Sequence, residues 1–399
     1  MTDHTITARW VFPVAGPPLS RGTVTVRRGK IVAVDPHGTR TADENVGNVA
    51  LVPGLVNAHT HLDLSGARGA TPPTDADHFP DWLRAVIAFR RARTPEQVSA
   101  DTRAGLAEAL RFGTTLIGDI AADGGSWDEL ASAPVRAVVF REMIGLSEER
   151  CEETLTAARE WLTQRKNTAD CRAGLSPHAP YSVRREMFAA AGKLCKKGRA
   201  PMAVHLAESD AEAELLHLRR GPFVAFLKGL RLWDEAEFAL GFQEVMSECD
   251  FGQPRLFIHG NRLPPTMRIR KGSAVVYCPR THAAFGHPPH PFRDFLRRGA
   301  TVCLGTDGLA SNPDLDPLAE ARFVRARHPD VPGHVLLKMV TQAGAEALGW
   351  GEECGTLEAG KSADMVAVPL RDADAADPHE LLFADFPADR RTMFRGDWR

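Results

Sequence analysis

The chain is predicted to belong to the α/β class. Residues 51–350 would form an eight-stranded parallel (β/α)8 barrel, with a small composite β-sandwich made from residues 1–50 and 351–399. Three observations predict this. Eight short apolar runs alternate with segments of helical spacing, both chain ends carry strand-like alternation, and the suggestive polar residues fall at the C-terminal ends of the apolar runs.

At the N-terminal end, Thr23-Val24-Thr25-Val26 and Lys30-Ile31-Val32-Ala33-Val34 alternate between turn residues, the pattern of half-exposed strands. Asp364-Met365-Val366-Ala367-Val368 repeats it after the turn Gly360-Lys361-Ser362. Two marginal sheets gain stability by packing as one, so both ends are read as one β domain. In the middle, the strand candidates are Leu51–His59, Gly113–Asp119, Val135–Ile144, Ala173–His178, Met202–Leu206, Leu256–His259, Ala274–Cys278 and Thr301–Thr306. Continuous apolar strands separated by amphipathic helices imply a parallel sheet covered on both faces. Eight such units match a closed barrel better than an open sheet. The segment 210–250 is long enough for two helices decorating the barrel.

Composition narrows the function. With 43% hydrophobic and 25% charged residues the chain can bury a core. A net charge of −2, from 49 basic and 51 acidic side chains, offers no footprint for nucleic acid or an anionic membrane. No apolar stretch approaches the roughly 18 residues of a spanning helix. The start Met1-Thr2-Asp3-His4 lacks the basic-then-apolar layout of a signal peptide. Seven cysteines without a CxxC pair argue against a disulfide framework or a cysteine-based zinc site. A cytoplasmic enzyme is expected.

The chemistry concentrates at one edge. His59 and His61 end strand one, His178 strand four, His205 strand five, His259 strand six and Asp307 strand eight. In barrels, active sites are built at that edge. With 15 histidines in 399 residues, His59-Thr60-His61 alone is a weak signal. On a strand, however, alternate residues share a side, so both imidazoles can face one ion. Together with His205 and Asp307 the set suits zinc or iron(II). Glu208, taken alone, reads as a helix N-terminal carboxylate, but beside an activated water it is placed for general acid/base work. His259 is either a satisfied core histidine or a residue that orients the water. Asp307 sits between Gly305 and Gly308, where the backbone can approach a site closely; its alternative is a turn aspartate. The cluster His282, His287 and His290 lies in a Pro-rich loop without ligand spacing, so substrate contact, by His282 for example, is preferred to a second metal.

These residues carry a resemblance. Leu51-Val52-Pro53-Gly54-Leu55-Val56-Asn57-Ala58-His59-Thr60-His61 resembles the opening motif of the amidohydrolase superfamily. Ser176-Pro177-His178, His205-Leu206-Ala207-Glu208, His259-Gly260, Gly305-Thr306-Asp307 and the closing Gly355–Asp364 continue it in order. The chain is most similar to the mononuclear branch containing guanine, adenosine-type and aminodeoxyfutalosine deaminases and triazine chlorohydrolases. The resemblance implies a distorted TIM barrel and one divalent metal, zinc ahead of iron, held by His59, His61, His205 and Asp307. Relatives with two metals bridge them by a carboxylated lysine ending strand four; here that strand contains no lysine. Two departures, Thr281-His282 for a common Ser-Asn pair and Gly308 for a common serine, bear on substrate choice.

The resemblance further implies hydrolytic deamination of an aminated heterocycle, purine nucleoside-like. Asp307 would take the proton of a metal-activated water, Glu208 would protonate the ring nitrogen, and His259 would orient the nucleophile. His178, Arg141, Trp82 and His282 are the substrate-contact candidates; the alternatives for Arg141 and Trp82 are a salt bridge and a packing aromatic. His61-Leu62-Asp63-Leu64-Ser65 with Asp81-Trp82-Leu83-Arg84 resembles the aminodeoxyfutalosine group. The competing activity is hydrolysis of another C–X bond, as in a chlorotriazine or cyclic amide, and the third reading is a non-catalytic scaffold. The expected partner is a small heterocycle, with a homodimer left open.

Overall fold

The computed structural model describes residues 3–384 and 389–399; Met1 and Thr2 of the N-terminal stretch considered above lie outside them. The barrel strands are Leu55–Thr60, Thr114–Ala121, Arg136–Met143, Cys171–Pro177, Met202–Leu206, Arg255–His259, Ser273–Tyr277 and Thr301–Leu304. They pair in parallel and in chain order, from strand one beside strand two to strand seven beside strand eight. Nearly all their residues are buried, as a sheet covered on both faces requires.

The seam between strands eight and one is made differently. Asn57 Nδ2 donates to Thr306 Oγ1 at 2.7 Å, and Thr306 N donates back to Asn57 Oδ1 at 3.0 Å. One residue on, Asp307 N donates to the His59 carbonyl at 3.1 Å. Gly305 permits this approach: a Cβ there would lie 2.8 Å from His59 Cβ and 2.9 Å from its nitrogen.

The run Leu51–His59 is two strands rather than one. Val49–Pro53 pairs antiparallel with Met365–Pro369 in a terminal sheet, and the barrel strand begins after Gly54. A Cβ at Gly54 would meet Thr115 Oγ1 at 2.0 Å, so only glycine lets the chain cross from one sheet to the other. The segment 210–250 holds three α-helices, Asp210–Leu218, Pro222–Gly229 and Phe242–Glu248, instead of two. Between strands six and seven no helix forms among the described residues.

The chain ends form two sheets. Four strands, His4–Thr7, Thr23–Arg27, Lys30–Asp35 and Glu44–Asn45, make one; Val49–Pro53, Met365–Pro369 and Arg391–Phe394 are central to the other, six-stranded one. Ile6, Val24, Ile31, Leu51, Met365 and Met393 pack into one apolar cluster between them. Arg136, at the foot of barrel strand three, ties this unit to the barrel. Its guanidinium pairs with the buried Asp364 and donates to Ser362 Oγ at 2.9 Å.

Two excursions cover the mouth of the barrel. After strand one come the helices Phe79–Arg91 and Pro95–Arg111, the second opened by Thr94 and Gln97, which cap each other's backbone N–H groups. After strand five, Pro222–Gly229 packs against Phe79–Arg91. No helix among the described residues is long and apolar enough to cross a membrane.

Candidate metal centre and active site

Strand ends deliver the donors. Donor atoms of His59, His61 and Asp307 lie within 4.8 Å of one another, and so do those of His59, His205 and His259. His59 Nε2 is 3.2 Å from Asp307 Oδ1, and His61 Nε2 is 3.7 Å from the same oxygen and 3.2 Å from His205 Nε2. His205 Nδ1 faces the His178 carbonyl at 3.0 Å. A carbonyl only accepts, so the ring proton sits on Nδ1 and the lone pair on Nε2 points into the cluster. All these side chains are buried.

Electrostatics agree with this arrangement. Burial, seconded by the neighbouring His59, pushes the His61 imidazole down to about 3. Burial likewise holds His205 well below the usual histidine range, with His178 and His59 adding to it. Neutral imidazoles are what a metal requires. For Asp307, burial alone would raise the carboxyl, but the hydrogen bond and charge of His59 outweigh it and keep it below the usual range. Ser311 Oγ donates to its other oxygen, Oδ2, at 2.9 Å. Converging imidazole nitrogens and one carboxylate held below its usual range fit a single divalent metal ion.

Beside this cluster, Glu208 Oε1 lies 3.3 Å from His259 Nε2. Burial, then the charges of Asp307 and Glu212, raise the Glu208 carboxyl well above its usual range. Its loop is clamped from below. Glu212 takes the backbone N–H of Ala207 at 2.9 Å and of Glu208 at 2.8 Å, one on each carboxylate oxygen. Asn261 Nδ2 donates to the Glu208 carbonyl at 3.0 Å. The pattern Ser209-x-x-Glu212 is a helix-capping signature, and Ser209 does cap the helix. Here, however, the glutamate reaches further back, to the residues that aim Glu208.

Backbone strain marks the same places. Ala207, His259 and Asp307 adopt left-handed φ values of 57°, 68° and 61°. Non-glycine residues held this way cost on the order of 1–3 kcal/mol each. The contacts that hold them are local: Arg262 N donates to the Ala207 carbonyl at 2.8 Å, and His290 Nε2 donates to the His259 carbonyl at 2.8 Å.

Above the donors opens a cavity of about 490 Å³. His61, His205, Glu208, His259 and Asp307 line its floor. Its walls are mostly apolar, with Trp82, Val86, Ile87, Leu146, Phe226 and Leu227 among them. Ile144, Leu230 and Leu232 form an exposed apolar lip.

Of the four substrate-contact candidates, His178 and Trp82 line the cavity, and Arg141 and His282 do not. Arg141 turns outward and donates to the carbonyl and carboxylate of Asp123, at 2.6 and 2.7 Å. Successive strand residues point to opposite sides, and it is the next residue, Glu142, that lines the cavity. His282 lies not in a loop but in the short helix Pro279–Ala284, buried, with Nε2 donating to the Pro288 carbonyl at 2.9 Å. The sequence reading also passed over Arg90, whose guanidinium reaches from the covering helix to Glu142 at 2.7 Å and Asp63 at 3.2 Å.

Comparison with known proteins agrees with the geometry. A curated 5-methylthioadenosine/S-adenosylhomocysteine deaminase of Syntrophobacter fumaroxidans is 32% identical over 374 residues, covering 88% of this chain and 80% of that protein. Helicobacter pylori aminofutalosine deaminase, solved with methylthio-coformycin, shares the fold with a TM-score of 0.86 at 23% identity, covering 99% of this chain and all of the other. A zinc-bound adenosine deaminase from Xanthomonas campestris matches with a TM-score of 0.80 at 25% identity, over 99% of this chain and 92% of its own. The amidohydrolase family model matches residues 50–398, nearly the whole length from the first terminal-sheet crossing to the last strand. The chain belongs to the amidohydrolase family.

Proposed function

We propose that the protein is a metal-dependent hydrolytic deaminase of 6-aminopurine nucleosides, releasing ammonia, with His59, His61, His205 and Asp307 as the metal ligands. The observation that carries this reading is Glu208: a buried carboxyl at the floor of the cavity, 3.3 Å from His259 and beside the donor cluster, which burial raises well above its usual range. Deamination needs such an acid. A ring carbon bearing an amine resists attack until the adjacent ring nitrogen is protonated, and a group that stays protonated at neutral pH can supply that proton.

Zinc is preferred to iron(II), because three imidazoles and one carboxylate suit it and because the Xanthomonas campestris relative carries it. A bound divalent ion lowers the pKa of a coordinated water toward about 7 and so makes a nucleophile available at neutral pH. This chain's own groups do the rest. As water adds to the amine-bearing carbon, Asp307 accepts the proton it gives up. Glu208 donates to the neighbouring ring nitrogen, and the carbon becomes tetrahedral. His259, 3.3 Å from Glu208 and kept neutral by burial at about 3, orients the attacking oxygen. Asp307 then gives its proton to the amine, which departs as ammonia, while Glu208 takes the proton of the new hydroxyl as it becomes the carbonyl, so both carboxyls return to their starting states.

The apolar walls and lip support a substrate with an apolar 5′ substituent, a thioether or an aryl group, next to the sugar. Deaminase activity toward 5-methylthioadenosine in the named relatives supports the same choice. The seven cysteines, all free and buried, support a cytoplasmic location.

The test is ammonia release by zinc-loaded protein from adenosine, methylthioadenosine, S-adenosylhomocysteine, aminodeoxyfutalosine, adenine, guanine and cytosine. Release from a nucleoside, falling roughly 10²–10⁴-fold in Glu208→Gln with metal retained, is the expected result. No ammonia from any of them, with about one metal ion bound per chain, would refute the deaminase and point to hydrolysis of another C–X bond.

A further inference from the structure

The rings of the donor cluster are not all braced alike. His205 Nδ1 donates to the His178 carbonyl at 3.0 Å, which fixes that ring. The His61 ring has no such brace, because its Nδ1 is buried with no hydrogen-bond partner among the described residues. The aim of its Nε2 is therefore left to packing and to the chain on either side. That chain is leaving the barrel. Strand one pairs with strand two at Asn57 and Ile117, slips, and brings Thr60 opposite Asp119. Gly118 lets the strands come this close: a Cβ there would lie 2.5 Å from the Ala58 carbonyl oxygen. Just beyond, the short helix Leu62–Ala67 begins with His61 in its N-cap position. An N-cap side chain ordinarily accepts from the first backbone N–H groups of its helix. That of His61 does not, being turned toward His205 and the other donors.

Strand two supplies what is missing. Asp119 Oδ1 accepts from Leu62 N at 2.9 Å and from Thr60 Oγ1 at 2.9 Å. One oxygen thus holds the residue before His61 and the residue after it. Ser126 Oγ donates to the other oxygen, Oδ2. Thr60, Asp119 and Ser126 are all buried, and Asp119 does not line the cavity. We infer that Asp119 is a positioning residue: by gripping the chain on both sides of His61 it aims that imidazole at the metal.

This inference rests on the reading of His61 as a metal ligand, and the experiment separates the two. Zinc dissociation constants of the full chain are measured by competition with a chelator, and folding is checked by circular dichroism. Asp119→Leu removes both acceptors at similar volume and is expected to weaken zinc binding about 10- to 100-fold, the range for partners that orient a ligand. Asp119→Asn keeps an oxygen for Leu62 and Thr60, while the Ser126 hydroxyl reverses to accept from the amide. Its zinc affinity is expected to stay within about threefold of wild type. An equal loss in both variants would assign the effect to the charge of the carboxylate and overturn the grip. In a His61→Ala background Asp119→Leu is expected to add nothing, and a further loss of about 10-fold there would show that Asp119 does not act through His61. Should Asp119→Leu not fold, Thr60→Val deletes one of the two grips at similar volume and is expected to weaken zinc about threefold or more. Wild-type affinity in folded Asp119→Leu, or in Thr60→Val, would overturn the inference and leave the ligand set standing. Wild-type affinity in His61→Ala would remove His61 from the ligands and defeat the ligand reading and the inference together.

Discussion

Adding one methyl group at Gly305 is expected to open the barrel seam and unload the site. In Gly305→Ala the new Cβ would start 2.8 Å from His59 Cβ, 2.9 Å from its nitrogen and 3.0 Å from its carbonyl oxygen. Carbon atoms in contact prefer about 3.5–4.0 Å, so strands eight and one must part by about 1 Å. Two of the three neighbours are backbone, and neither can rotate away. Asp307, two residues along, moves with the strand, and its 3.1 Å hydrogen bond to the His59 carbonyl lengthens. Overpacking of this kind costs about 1–3 kcal/mol of stability. A catalytic group displaced by about 1 Å costs roughly 10²-fold in rate. Zinc per chain after dialysis, kcat and the urea midpoint measure the three effects. Gly16→Ala is the control, because nothing lies within 4 Å of a Cβ there. Full zinc occupancy and wild-type kcat in Gly305→Ala would refute the reasoning that glycine at the seam sets the distance between His59 and Asp307.

Three further outcomes follow from other contacts. Glu212→Gln keeps one acceptor but sets an amide donor against the second backbone N–H; a loss of about 2–3 kcal/mol and a fall in kcat of roughly 10-fold or more are expected. In a Glu208→Ala background the same change is expected to leave the residual rate untouched, and a further loss there would show that Glu212 does not act through Glu208. Arg136→Met strands the buried Asp364 carboxylate and is expected to cost about 3–5 kcal/mol in chemical denaturation, far more than the double change Arg136→Met/Asp364→Leu. Metal-free protein is expected to lose stability as pH falls from about 6.5, where unfolded histidine takes up protons. In the fold, burial holds His61, His259 and His290 near 3, so the native state binds fewer protons than the unfolded one between these values. Each such group contributes a slope of about 1 kcal/mol per pH unit, and urea midpoints that stay flat from pH 7 to 5 would contradict it.

The sequence was most legible where one strand settles the matter by itself. The apolar runs ending in His59, His61, His205, His259 and Asp307 declared both the barrel and the gathering of donors, because a strand's direction places its last residues at one rim. Contacts made by residues distant in the chain were less legible. The crossing at Gly54 depends on Thr115, and the open seam depends on Gly305 meeting His59, neither of which any local pattern reveals. Arg141 is a candidate and Glu142 is not, because side-chain parity on strand three is invisible until its neighbours are known. His282 is misplaced in the cavity because nothing in the neighbouring sequence shows the helix Pro279–Ala284 or that Pro288 takes its ring nitrogen. Glu212 did leave a signal, the Ser209-x-x-Glu212 capping pattern, which was legible as a helix start though not as a clamp on Glu208.

The left-handed backbone at Ala207, His259 and Asp307 bears on how this protein can be improved. Glycine relaxes such a conformation at once, so a search for heat tolerance alone would be drawn to those three positions. It would return a sturdier scaffold with a looser floor, since two of the three side chains lost are the ones that touch the reacting atoms in the proposed mechanism and the third position adjoins Glu208. Resistance to heating and speed of reaction therefore compete at three known residues of this chain. Engineering for durability has to begin elsewhere, at left-handed residues remote from the donors, such as Val14, Arg21 and Arg28 in the terminal unit.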